Sequence, residues 1–327
     1  MEIVNLGHSG LKVSRICLGT MTFGREASEE MSFKLMDRYM ELGGNFLDTA
    51  DQYSKGGSEK VVGRWMKKRG VRDKIILATK VYSVMGPNPN DGGLSRIHIQ
   101  EAVEDSLRRL QTDVIDIYQI HRWDPDVPIE ETMETLNDLV RQGKMRYIAC
   151  SNLKGWQLSK FLHVAEKNSW SRFISIQPIY NALNRGIENE VLPLCAEEGL
   201  GVITYNPLAG GMLTGKYQRN GSMPKGARLE AFDSYYDRYY TEQAMDTVDA
   251  FVQAAEERDV TPAQLALAWV LGEPRVTCPI VGARNLEQLN DTLGGLEVEL
   301  TADEREDIPA LPSGRWVGQD PVYDREY

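Results

Sequence analysis

The sequence predicts a (β/α)8 barrel, a TIM barrel, and three observations point there. Short apolar runs alternate with amphipathic helical stretches along most of the 327 residues. About eight such strand–helix units occur, seven of them starting at intervals of roughly 30 residues, the period of a βα repeat. No glycine-rich phosphate loop follows any of the strands, whereas a doubly wound open sheet usually carries one after its first strand. A single barrel domain over 1–327 is expected, with a short N-terminal hairpin and long loops at the mouth formed by the C-terminal strand ends.

Each element has a local reason. Val4 to Gly19 alternates around the turn His8-Ser9-Gly10, which reads as a hairpin leading into Arg15-Ile16-Cys17-Leu18-Gly19. Ser28 suits the cap of a helix carrying Phe33, Met36 and Tyr39 to Met40, and Gly43-Gly44 stops it. The run Asn45-Phe46-Leu47 ends at Asp48, and Ser58-Glu59 opens a helix with Val61, Val62, Trp65 and Met66 on its inner face. Lys74 to Thr79 is a buried strand ending in Lys80. After a Gly/Pro/Asn-rich loop over 86–93, a helix lines up Val103, Leu107 and Leu110.

Val114 to Ile120 is the next strand and runs into His121. Pro128 fits the first turn of a helix bearing Ile129, Met133, Leu136 and Val140, closed by Gly143. Tyr147 to Cys150 leads to Ser151-Asn152, Phe173 to Ile176 to Gln177-Pro178, and Gly201 to Thr204 to Tyr205. A long segment from Pro207 to about Thr241 belongs to the loop after the seventh strand, where insertions are normally binding elements. Thr261-Pro262-Ala263-Gln264 has the form of a capping box, and Val276 to Val281 ends at Gly282. The tail holds Trp316, Tyr323 and Tyr327 among polar residues.

Composition narrows the function. A net charge of −11 argues against general affinity for nucleic acid or an anionic membrane, since both require a positive field. No apolar run approaches the roughly 18 residues of a membrane span, and the N-terminus lacks the form of a signal peptide, so a cytoplasmic protein is expected. The cysteines Cys17, Cys150, Cys195 and Cys278 are far apart, show no zinc spacing and read as buried thiols. No metal is expected. HExxH and GxSxG are both absent, which leaves zinc and serine hydrolysis unsupported.

The strand ends instead present Asp48, Lys80, His121, Ser151, Gln177 and Tyr205, with Tyr53 in the first loop. Packing alone would not select this set. It suits proton transfer to a carbonyl: a phenol with a pKa of roughly 10 is a poor acid near neutrality until a neighbouring ammonium favours its phenolate. Lys80 could serve in that role, Asp48 could hold Lys80 charged, and His121 could donate to the substrate oxygen. No side chain supplies a hydride, so a reduction needs a nicotinamide cofactor.

On these motifs the chain resembles the aldo-keto reductases, from about Leu6 to Thr292. The segments that carry the resemblance are Phe46 to Tyr53, Ile76 to Lys80 and Asp116 to His121. It implies that Tyr53 is the proton donor, tuned by Lys80 and Asp48, with His121 orienting the carbonyl. It also implies a cofactor site. Ser151, Asn152 and Gln177 would hold the carboxamide of the nicotinamide, Tyr205 would stack on the ring, and Gly19, Thr20 and Met21 would line its other edge with Asp48. The run Asn206-Pro207-Leu208-Ala209-Gly210 through Lys216-Tyr217 resembles the pyrophosphate loop of the bacterial and channel-subunit branches, where backbone N–H groups and Lys216 could meet phosphate.

Gly282, Arg284, Gln288 and Asp291 resemble the adenosine end, and the guanidinium of Arg284 suits a 2′-phosphate, so NADP(H) is expected over NAD. Where the family often has an asparagine gripping adenine, this chain has Thr292. A cofactor-binding regulatory subunit similar to the potassium-channel β subunits is the competing function, and a lyase with Lys80 as Schiff base a third. The substrate is expected to be a small carbonyl compound, with the reverse reaction open on a sugar or polyol hydroxyl. Met21, Phe23, Tyr82, Trp123, Trp156 and Tyr180, with Arg122 and Asp124, are the residues expected to flank its pocket.

Overall fold

In the computed structural model, which describes residues 1–217 and 241–312, eight parallel strands close into a barrel. They are β3 (Cys17–Gly19), β4 (Phe46–Asp48), β5 (Ile76–Val81), β6 (Ile115–Ile120), β7 (Met145–Ser151), β8 (Phe173–Gln177), β9 (Gly201–Thr204) and β10 (Cys278–Val281). Their order is sequential, and β10 pairs with β3 to complete the ring. The expected fold class is the observed one. The C-terminal tail with Trp316, Tyr323 and Tyr327, and the loop beyond Tyr217 up to Thr241, lie outside the described residues.

The hairpin of β1 (Ile3–Asn5) and β2 (Lys12–Ser14) is antiparallel and covers the N-terminal end of the ring. The His8 amide donates to the Gly199 carbonyl at 2.8 Å, just ahead of β9. Leu6 and Val13 from this hairpin join Cys17, Phe46, Ala78, Ile117, Ala149, Ile203 and Cys278 in one apolar cluster inside the barrel. That end is therefore plugged, and only the C-terminal mouth is left for a ligand.

A second, larger cluster fills the space between the outward strand faces and the helices, where Leu47, Leu77, Tyr118 and Val202 meet Trp65, Met133 and Phe161. The helices that supply it are α1 (Glu29–Glu41), α2 (Gly57–Arg69), α3 (Arg96–Leu110), α4 (Ile129–Arg141), α5 (Gly155–Lys167) and α6 (Val191–Glu198). After β9 come α7 (Glu242–Glu256) and α8 (Pro262–Leu271), and after β10 come α9 (Leu286–Leu293) and α10 (Ala302–Asp307). Ser28 caps α1 by accepting from the Met31 amide, and Thr261 and Gln264 form the full reciprocal capping box of α8.

Two helix starts differ from expectation. Pro128 precedes α4 as its cap, with an extended ψ of 136°, so its ring only fixes the entry of the chain. Helix α2 begins at Gly57, with left-handed Gly56 as its cap. Ser58 and Glu59 are buried, their polar groups meeting the Thr20 carbonyl and the Thr79 hydroxyl.

Helices α2 and α3 touch at Gly63, where a methyl group would lie 2.5 Å from the Arg109 carbonyl oxygen. Alanine would improve helix propensity by about 0.8–1.0 kcal/mol, but the collision with backbone outweighs it. The Gly63→Ala variant is expected to lose about 1–3 kcal/mol in urea unfolding, while Gly10→Ala, which has nothing within 4 Å, stays near the parent. Equal midpoints for the two variants would contradict this packing.

Candidate active site

The two-residue period of the strands builds the mouth. The inward apolar layer at Phe46, Ala78, Ile117 and Ala149 is followed two positions on by Asp48, Lys80, Gln119 and Ser151. Gln177 and Tyr205 take the same level on β8 and just past β9. An oily floor is thus overlaid by a polar ring that faces the open end.

At the centre of that ring the Lys80 ammonium lies 2.5 Å from Asp48 Oδ1, with side-chain exposures of 0% and 3%. It also donates to the Thr49 carbonyl at 2.9 Å and to the Tyr53 hydroxyl at 3.3 Å. The other carboxylate oxygen of Asp48 accepts from Gln177 at 2.8 Å and from Gln119 at 3.0 Å. Burial pulls the Lys80 pKa down, but the charges and hydrogen bonds of Asp48 and Tyr53 outweigh it and hold it above its ordinary value. The amine is therefore a fixed cation pressed against a phenol.

Tyr53 reaches this point through a turn that side chains rarely adopt. Ser54, Lys55 and Gly56 are all left-handed, with φ of 54°, 50° and 81°. Two non-glycine residues in that region carry a strain of order 1–3 kcal/mol each, which the surroundings must hold. The Ser58 amide closes the turn on the Tyr53 carbonyl at 3.2 Å, and Ser54 Oγ donates to the Phe23 carbonyl at 3.1 Å. His121 stands edge-on to the Tyr53 ring at a centroid distance of 6.0 Å. Burial, reinforced by the charges of Lys80 and Arg122, pushes the imidazole well below its ordinary pKa, so the ring is neutral near neutral pH. The Gln52 amide nitrogen lies 3.3 and 3.4 Å from its two ring nitrogens and is itself steadied by Ser83.

Behind the Tyr53 loop lies a second set of charged groups. Asp51 is 1% exposed, its Oδ1 accepts from the Gln52 amide, and its Oδ2 has no hydrogen-bond partner among the described residues. Glu59 is fully buried and accepts from Thr79 Oγ1 and Arg109 Nε, both at 2.6 Å. Burial and the Glu59 charge push Asp51 up to about 7.

The residues expected to hold a dinucleotide lie along the β3, β7, β9 and β10 side. Gly19 and Gly282 face each other across the β3–β10 seam and leave bare backbone there, since a methyl on Gly282 would have only the Gly19 carbonyl oxygen within 4 Å. Thr20 is buried and donates to the Asp48 carbonyl, and Met21 is half-buried. Asn152 is left-handed, gives its amide protons to the His121 carbonyl and Ser151 Oγ, and accepts from the half-buried Tyr205 hydroxyl.

The 206–217 segment corrects part of the expectation. The N–H of Gly210 goes to Asn206 Oδ1 at 2.6 Å, and those of Gly211 and Leu213 go to the Leu208 carbonyl. Consecutive left-handed glycines curl this turn on itself, so these amides are taken and Pro207 has none to give. Among the described residues the Asn206 amide nitrogen is buried without a hydrogen-bond partner, and the Lys216 ammonium lies over Gly211 and the Tyr217 ring. At the far end, the Arg284 amide donates to Gln288, Asp291 accepts from Thr261, and Thr292 is buried. Bare glycine backbone, an orphaned amide and two cations at Lys216 and Arg284 suit a long anionic ligand laid across this side.

Several residues escaped the sequence reading. Gln119 shares Asp48 with Gln177, and its signal was parity, since it lies two positions before His121 on the same inward face. Asp51 and Glu59 had only the signals of a turn and a helix start. Two expected pocket walls are corrected. Phe23 is fully buried, and Tyr180 is sealed against Trp269 with its hydroxyl on Glu188, so both pack the core. Tyr82, Trp123 and Trp156 remain at the mouth, Trp156 40% exposed beside Trp123.

A family model described as "Aldo/keto reductase family" matches residues 15–311. The chain is 40% identical over 310 residues to "Uncharacterized oxidoreductase YrpG" of Bacillus subtilis (strain 168), covering 92% of each chain. It is 36% identical over 342 residues to "Protein tas" of Escherichia coli (strain K12), covering 95% of this chain and 97% of the relative. To "Versiconal hemiacetal acetate reductase" of Aspergillus parasiticus it is 35% identical over 329 residues, with 93% and 95% covered.

Asp51 generates a pH prediction. Its folded pKa is raised, so the folded state holds its proton more tightly than the unfolded chain does. The stability this gives is present below the ordinary carboxylate value and is lost as pH rises to about 7. Asp51→Asn removes the loss. The stability of that variant relative to the parent should climb between roughly pH 4 and 7, by at most on the order of 4 kcal/mol, and level off above. Thermal melts with a pH-independent difference would rule the assignment out.

Proposed function

The chain belongs to the aldo/keto reductase family, and on that premise we propose that it reduces an aldehyde or ketone to the alcohol with NADPH. The observation that carries the reading is the Lys80 ammonium held between Asp48 and the Tyr53 hydroxyl, at 2.5 and 3.3 Å. A bound reduced nicotinamide supplies the hydride that no side chain can.

The chain's own residues handle the proton. As the carbonyl carbon gains the hydride, its oxygen takes the Tyr53 hydroxyl proton. The phenolate left behind faces a cation already in place, so no charge has to be brought in from solvent during the step. Asp48 fixes that cation through 2.5 Å of buried contact, while Gln119 and Gln177 keep Asp48 from swinging away. His121, neutral and set against Gln52, donates its N–H to the carbonyl oxygen and aims it at Tyr53. The opposite reaction, on a sugar or polyol hydroxyl, uses the same groups with the proton returning to Tyr53.

On the cofactor side, Ser151, Asn152, Gln177 and Tyr205 would hold the nicotinamide, Lys216 the pyrophosphate, and Arg284 the 2′-phosphate. The Lys216 ammonium over Gly211 and the half-buried Arg284 support the last two roles. The raised pKa of Lys80 speaks against Schiff-base chemistry, because a protonated amine is no nucleophile.

Tyr53→Phe is expected to lower turnover by a factor on the order of 10²–10⁴ while NADPH binding, followed by nucleotide fluorescence, stays at the parental level. Near-parental turnover in this variant would remove the proposed acid. NADPH should bind more tightly than NADH, and Arg284→Ala should narrow the gap between them. An unchanged ratio would detach Arg284 from the 2′-phosphate.

A further inference from the structure

Directly after His121 stands a cation that the reduction does not use. Most partly buried arginines here close on acids or carbonyls, as Arg72 does on Asp116, Arg109 on Glu59 and Arg305 on the Trp269 carbonyl. Arg122 has no ion pair among the described residues, and its Nε is buried with no hydrogen-bond partner. Leaving such a donor unmet is costly, a penalty that calls for a reason. Its nearest carboxylate in sequence, Asp124, is taken by the amides of Leu94 and Asp126.

The guanidinium lies over the Tyr82 ring, 5.1 Å from its centroid, and Tyr82 follows the last residue of β5. Arg122 is half-buried, so the group is shelved at the rim and not sealed in the core. It follows His121 directly in the chain, just past the end of β6, next to the residue proposed to aim the carbonyl. In a chain of net charge −11, an unneutralised arginine at this position attracts an anion at contact range. A planar fork stacked on an aromatic is also the geometry that grips a carboxylate through two parallel hydrogen bonds.

We propose that Arg122, supported by Tyr82, is an anion subsite of the substrate mouth, and that the favoured carbonyl compounds carry a carboxylate a short distance from the reacting carbon. The proposal rests on the reductase reading and names a substrate class for the same site.

The test compares succinic semialdehyde and the three carboxybenzaldehydes, each against its methyl ester, in NADPH-dependent reduction. At least one acid should exceed its ester in kcat/KM by about tenfold, mainly through a lower KM. Arg122→Met should bring that ratio close to one and Arg122→Lys should retain part of it, with a thermal melt checking the fold of each variant. Without turnover, benzoate binding to the NADPH-loaded protein, measured by calorimetry, should weaken about tenfold in Arg122→Met, while benzamide binding should not respond. Esters reduced as well as their acids throughout, or an acid preference that survives Arg122→Met, would overturn the subsite and leave the reductase reading standing. Reduction of neither acids nor esters would bring down that reading and the subsite with it.

Discussion

Everything at the mouth depends on one buried ion pair. Moving an ammonium and a carboxylate out of water carries a penalty of several kcal/mol per ion, and mutual attraction repays it only when the remaining hydrogen bonds are also met. Here they are met: Lys80 is shared by Asp48, the Thr49 carbonyl and Tyr53, and Asp48 by Gln119 and Gln177. These partners come from four different strands and one loop. The pair can therefore be solvated by protein only once the barrel has closed, because β4, β5, β6 and β8 must all stand in the ring before residues 48, 80, 119 and 177 can meet. Conversely, removing either ion would strand its partner in a dry site. Fold and chemistry are coupled through this contact more tightly than through any apolar layer.

The loop that delivers Tyr53 shows how the barrel can hold a strained segment. Its left-handed residues are clamped between the carbonyl of Phe23, in the loop after β3, and helix α2, whose cap position is itself pressed on Arg109, since a methyl on Gly56 would meet that side chain at 2.6 Å. Arg109 in turn is anchored on buried Glu59. A chain of contacts thus runs from α3 through α2 to the tyrosine, and the acid pair Asp51 and Glu59 lies along it. Burial first, and then the negative charge of Glu59, favours the protonated form of Asp51.

Much of this was legible in the sequence because strands that end at a barrel mouth advertise themselves. An apolar run that stops at Asp48, Lys80 or His121 marks the reactive end of a strand: Asp48 is the last residue of β4 and His121 follows β6, while β5 runs one residue past Lys80 to Val81. What stayed hidden depends on relations between strands. Gln119 looks like an interruption within a strand until the inward parity of Ile117 and His121 is known. Asp51 and Glu59 read as turn and cap residues, since nothing local says that Arg109, fifty residues on from Glu59, will neutralise one of them. The amides of the 206–217 turn looked available for phosphate because glycine content reports backbone freedom and not where the freed N–H groups point. Phe23 and Tyr180 were placed at the pocket by being aromatic, yet aromatic residues near strand ends serve the core just as well.

The rim has a further logic in its charges. With a net charge of −11 the protein as a whole repels anions, but over more than roughly 8–10 Å that field is screened at physiological salt. Selection among small anionic ligands then falls to cations that act at contact. The chain sets Lys216 and Arg284 toward the β9 and β10 side, and Arg122 directly after His121 at the end of β6, across the ring from β10. Under the proposed function this divides the mouth into a cofactor half and a substrate half, each with its own positive group. In that reading Ser151, Asn152, Gln177 and Tyr205 would hold the nicotinamide that supplies the hydride, and Tyr53 would supply the proton. A ligand held by both ends in this way is oriented before any bond changes, and orientation is the larger part of what a rigid barrel can add to a reaction whose proton donor is already in place.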